Sequence, residues 1–131
     1  AKPLATAQLA SLSIVGLPGN PVSARVGFEL FAGPLIRTMG GFRKVHRRRV
    51  VARAAHIFDA HHDQKVHLDR GQLEFGPDGL VVSRVGEQQS HVLSGLTGAE
   101  VLVFHEPGRT IAIGDEVTVL LLDGDWSEQC P

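Results

Sequence analysis

The run Gly16-Leu-Pro-Gly-Asn-Pro-Val-Ser23 holds the residue types with which a turn binds an oxyanion. It follows a β-prone stretch, Leu12-Ser13-Ile14-Val15, and leads into a segment of helical periodicity. A glycine loop in that place exposes backbone N–H groups, and the dipole of the following helix adds positive potential. Phosphate or a similar oxyanion suits the arrangement, with the Ser23 hydroxyl in reach. The run matches neither the Walker pattern nor the spacing of a dinucleotide fingerprint. A plain rigid turn explains it too, because glycine and proline mark ordinary βα loops. Composition leaves both readings open.

Other reactive types are scattered. His56, His61, His62 and His67, with Asp59, Asp63 and Asp69, have the chemistry of metal ligands. Their spacing fits no recognised tetrahedral set, and a polar hairpin loop accounts for them, so no metal site is assigned. Arg47-Arg48-Arg49 has the charge of a nucleic-acid patch, but alternation along a strand turns one arginine away from the others, which favours a solvated strand. Cys130 lies beside the chain end and reads as an idle thiol. Ser90 and His91 lack a third group in sequence reach, so a hydrolase triad is not supported.

The elements that would carry these residues change type partway along. Asn20 is a suitable N-cap, and Pro21 falls at the first helical position, where its missing N–H costs nothing. Val22, Val26 and Leu30 recur at spacing four with Phe31 beside them, so one face should pack against a sheet. Without the rest of such a sheet, those four residues should be exposed. Pro34 is expected to end or kink the helix, with a further short turn through Met39. From about Phe42 the pattern becomes strand-like. His46 to Phe58 reads mostly as one long strand with arginines on one side. Lys65 to Val85 reads as a hairpin turning at Gly76-Pro-Asp-Gly79. Its apolar residues change parity at Gly71, which suggests a β-bulge there. Ser90 could cap a helical turn through Leu96. Val101 to Phe104 is a strand, and Gly114-Asp115 leads into a central last strand, Val117 to Leu122.

These elements predict an α/β end-piece, strand-loop-helix, over residues 1–43. A small all-β, barrel-like domain follows over 44–123, with a flexible tail over 124–131.

Composition bounds the class. The chain has 131 residues, 43% hydrophobic and 21% charged, the balance of a soluble globular domain. No run approaches the ~18 apolar residues of a membrane-spanning helix, and no secretory leader pattern opens the chain. One cysteine excludes an internal disulfide framework. Six Phe, one Trp and no Tyr argue against a base-stacking nucleic-acid platform. A cytoplasmic protein that binds neither membrane nor nucleic acid is expected. Residues 1–53 carry nine basic groups against one acid, Glu29, whereas the formal charge of the whole chain is −1. A basic first part can serve an anion. Ala1 is no initiator and Met39 is the only methionine, so the chain reads as a piece of something longer.

Gly-Leu-Pro-Gly-Asn-Pro-Val-Ser-Ala at 16–24, followed by Phe28-Glu-Leu-Phe31 and Pro34, resembles the MoeA/gephyrin family of molybdopterin molybdenumtransferases. Lys2-Pro3-Leu4 looks like the end of the Gly-Lys-Pro segment that precedes this strand in the family. Arg70-Gly71, Gln89-Ser90-His91 and Gly114-Asp-Glu-Val117 resemble its C-terminal domain. The likeness is strongest over 16–41 and moderate over 65–122. Departures are Ala99-Glu100-Val101, where Ala-Asn-Gly is common in the family, and His105, where it has proline.

The resemblance implies a C-terminal fragment of an enzyme that inserts molybdate into adenylylated molybdopterin, with Mg2+ in the full-length, homodimeric enzyme. Residues 1–43 would end the molybdopterin-binding α/β domain, and the rest would be the C-terminal β-barrel. Lys2 would lie near the anionic ligand. Gly16, Pro18, Gly19, Asn20, Pro21 and Ser23 would form the molybdate or phosphate pocket. Arg70 and Ser90 match barrel positions that face the cleft of a neighbouring subunit. The catalytic acids of the family would precede Ala1, so no catalytic residue is assigned and the fragment alone should be inactive. The alternative is a β-barrel that docks a partner or ligand without catalysis.

Overall fold

A computed structural model describes residues 4–85 and 99–122. They fall into two compact units, one up to Arg47 and one from Arg48 onward.

The first unit opens with an antiparallel hairpin, β1 (Ala5–Leu9) and β2 (Leu12–Gly16), in register from Ala5 opposite Gly16 to Leu9 opposite Leu12. Only the second strand was expected. The turn between them, Ala10-Ser11, carries no glycine or asparagine, and Ala10 takes φ 51°, a left-handed conformation uncommon outside glycine. Helix α1 (Pro21–Gly27) then begins with Asn20 as its cap. Pro34 does not end the helix. The chain widens into a π turn, Phe28–Ala32, whose closing Gly33 N–H donates to the Phe28 carbonyl, and continues as α2 (Gly33–Met39). Pro34 has no N–H for the preceding turn, so a widened turn loses less there than a regular α turn would. Gly41, at φ 77°, stops the helix: its N–H donates to the Thr38 carbonyl, and that of Phe42 to the Arg37 carbonyl.

Burial along this helix departs from the expected apolar face. Val22 and Phe31 are exposed, but Val26 is buried and Leu30 half-buried. The remaining anchors are polar. Glu29, 4% exposed, accepts from Arg47 Nε at 2.8 Å and faces Arg25 at 3.6 Å. Arg37 donates to the Lys44 carbonyl at 3.0 Å and lies over the Phe42 ring.

The second unit is a closed five-stranded barrel in the order β3-β5-β4-β6-β7. Strand β3 (Arg49–Ala54) is shorter than the expected His46–Phe58 run. Arg47 is instead engaged by Glu29, and Phe58 joins only through an isolated bridge to Ile111. Within β3, Arg49, Val51 and Arg53 face outward while Ala52 and Ala54 enter the core, so the arginines do share one side. Strands β4 (His67–Gly76) and β5 (Gly79–Arg84) form the expected hairpin around Pro77-Asp78. No bulge occurs at Gly71, because pairing is continuous with β5 from Gly71 to Gly76 and with β6 from His67 to Leu73. Glycine is needed there for space: a Cβ would lie 2.7 Å from Val82 Cγ2 and 3.1 Å from the Ser83 carbonyl.

Strand β6 (Ala99–His105) and strand β7 (Glu116–Leu121) complete the barrel, with β7 between β6 and β3. Its central placement explains why Leu120 is buried as well as Val117 and Val119. The core holds Phe58, Val82, Val101, Val103, Ile111 and Val119. The expected Ser90 turn and the 124–131 tail lie outside the described residues. Among the described residues, no helix is long and apolar enough to cross a membrane.

Candidate functional site

The run singled out for anion binding folds as a strand-to-helix turn. Gly16 ends β2, Pro18 is buried, and Gly19, Asn20 and Pro21 are exposed, with Ser23 half-buried on the first helical turn. Asn20 Oδ1 accepts from Val22 N–H at 3.0 Å and Ser23 N–H at 3.3 Å, and the Asn20 carbonyl accepts from Ala24 N–H at 2.8 Å. The cap therefore already occupies the amides expected to be open, and an anion would have to share or replace the Asn20 carboxamide. Neither Gly16 nor Gly19 has a positive φ. A Cβ on Gly19 would meet nothing within 4 Å, so packing in this unit does not demand glycine there.

The first unit is rich in basic residues. Residues 4–47 include Arg25, Arg37, Arg43, Lys44 and Arg47, with Glu29 as the one acid. That acid is buried and held by Arg47 and Arg25. Gly16, Pro18, Gly19, Asn20, Pro21 and Ser23 are thus brought into one turn. Arg70 belongs to the barrel, exposed on β4, where Nε and an Nη donate to Glu100 Oε1 at 3.2 and 3.1 Å. Lys2 and Ser90 lie outside the described residues.

Sequence spacing missed a second group. Asp69 Oδ1 lies 2.9 Å from His61 Nε2, and its Oδ2 lies 2.7 Å from His105 Nδ1. His105 is fully buried, and its Nε2 donates to the Arg109 carbonyl. His67 stacks on His61 with ring centroids 3.7 Å apart, and its Nε2 lies 2.7 Å from Asp63 Oδ1. His67 and Asp69 have the inward parity of β4, so polar side chains fill this end of the barrel. That explains the apparent change of apolar face at Gly71. His105 is 36 residues from Asp69, and the pairing of β4 with β6 is what joins them.

The barrel with its preceding helical unit is the architecture expected of the family named above, and comparison with known proteins settles membership. Residues 51–122 match the model of the MoeA C-terminal region (domain IV), and the chain belongs to that family. It is 35% identical over 109 residues to the molybdenum cofactor synthesis protein cinnamon of Drosophila melanogaster, covering 83% of this chain and 18% of that protein. It is 38% identical over 112 residues to molybdopterin molybdenumtransferase 1 of Mycobacterium tuberculosis, covering 81% of this chain and 26% of that protein. With a molybdopterin molybdenumtransferase of Haemophilus influenzae it shares 29% over 120 residues, covering 90% and 30%. The chain therefore spans less than a third of the length of these relatives.

Proposed function

We propose that these residues serve as the C-terminal part of a molybdopterin molybdenumtransferase, which inserts molybdate into adenylylated molybdopterin in the cytoplasm as a homodimer. The observation that carries the reading is the family match over the barrel, joined to a Gly16–Ser23 turn in a basic first unit. In this reading residues 1–43 end the molybdopterin-binding domain and 44–123 form the β-barrel domain.

Pro18 and Pro21 fix the path of the turn, and the Asn20 carboxamide, which caps the first-turn amides, is the group an oxyanion shares or replaces. Ser23 supplies a hydroxyl at the helix start, and the open space beside Gly19 leaves room for an oxyanion. Lys2, by its match to the family's Gly-Lys-Pro segment, is proposed as a further cation for the ligand. Arg70 and Ser90 act as donors to a phosphate or molybdate oxygen. Mg2+ finds no ligand set in the described first unit, because Glu29 is its one acid and is committed to arginines.

The test replaces Pro18 and Pro21 together by alanine in the full-length enzyme, expressed in a host lacking its own molybdenumtransferase. Molybdoenzyme activity should fall to the background of that host while the protein keeps its circular dichroism. Unchanged activity contradicts the assignment of the turn and favours a barrel that docks a partner without catalysis.

A further inference from the structure

We infer that the barrel carries a binding site for a zinc-class divalent ion, built from His61 Nε2, the Asp69 carboxylate and His105 Nδ1. These three ligand atoms lie within 4.8 Å of one another. They come from three parts of the barrel: the loop between β3 and β4, strand β4, and the end of β6.

The hydrogen bonding of His105 carries the argument. Its Nε2 faces the Arg109 carbonyl, which can only accept, so Nε2 bears the proton. In the neutral ring Nδ1 then presents a lone pair to Asp69 Oδ2 at 2.7 Å. Two electron pairs do not meet at that distance without a positive centre between them. A metal ion is such a centre. A ligating histidine whose other ring N–H donates to a backbone carbonyl is the usual outer-shell arrangement of metal sites.

Two imidazoles and a carboxylate form a donor set suited to zinc, leaving a fourth position for water. Zinc bonds of about 2.0–2.1 Å set tetrahedral ligands roughly 3.3 Å apart, so the two histidine–carboxylate contacts, at 2.9 and 2.7 Å, must open by about half an ångström while the widest pair, within 4.8 Å, draws in. His61 and Asp69 are 32% and 25% exposed and can make that shift, whereas His105 is the fixed, fully buried member. His67, stacked on His61 and bonded to Asp63, holds the His61 ring plane.

Titration of the 131-residue chain with Co2+, read by visible absorption, tests this directly, with Zn2+ competition to confirm the site. One equivalent should give the intense bands of a four-coordinate ion, displaced by Zn2+. His61→Ala and Asp69→Asn should each weaken binding at least tenfold, while His62→Ala, an exposed neighbour outside the cluster, should leave it unchanged. Both of the first two positions are partly exposed, and circular dichroism will show that the variants keep the barrel. Only the weak spectrum of hydrated Co2+, or equal binding by folded His61→Ala and Asp69→Asn, would overturn the site.

Discussion

In the barrel, Phe58, Val82, Val101, Val103, Ile111 and Val119 bury one another from several strands and two loops. In the first unit, the side chains that fix the helix are Glu29, Arg37 and Arg47, while Leu9, Leu12, Ile14, Val22, Phe31, Ile36 and Met39 stay exposed. The barrel closes on itself around a core of its own, although Val51, Ile57, Val66, Phe75 and Ile113 stay exposed. The two-stranded sheet and single helix have too few layers to enclose such a core. A 3.6-residue periodicity therefore does not guarantee a core: the helix has an apolar stripe, yet charged contacts fix its position among the described residues.

The largest expected effect lies in the barrel. Phe58→Ala should cost about 3–5 kcal/mol by leaving a cavity in the core, read by denaturant unfolding. Phe31→Ala in the first unit should change stability by less than about 0.5 kcal/mol, because that ring is already half in water. Equal losses at the two positions would break the comparison.

Glu29→Gln should come next. It leaves Arg47, 12% exposed, without its carboxylate, and removing one member of a buried pair costs about 3 kcal/mol. The loss should be local: amide hydrogen exchange across residues 21–39 should speed up while the barrel strands keep their protection. Uniform acceleration in both units would show that they unfold as one.

The smallest effect is expected at the turn. Asn20→Ala removes the cap on Val22 and Ser23 and should cost about 1 kcal/mol. It is measured by the same exchange experiment, confined to the first helical turn.

Much of this was legible in the residues. The Asn20 cap, the Pro77-Asp78 hairpin turn, the outward arginines of β3 and the two-sided apolar β7 all carried local signals that the fold kept. The misses share a physical origin. Strand β1 was missed because Ala10-Ser11 holds a left-handed turn without a turn residue. The bulge at Gly71 was inferred from a parity change that instead reflects polar His67 and Asp69 at one end of the barrel. His105 went unnoticed as a partner of Asp69 because only the pairing of β4 with β6 brings residues 36 apart in sequence within 2.7 Å. Likewise Glu29, noted as a lone acid, gave no sign of its contact with Arg47.

Whether these residues serve molybdate insertion is tested by rescue of molybdoenzyme activity in a molybdenumtransferase-deficient host. The test compares the full-length enzyme with a version lacking the residues described here. Rescue is expected from the first and none from the second, although the second remains soluble. Equal rescue by both would contradict that role, since molybdate insertion would then need neither the Gly16–Ser23 turn nor the barrel.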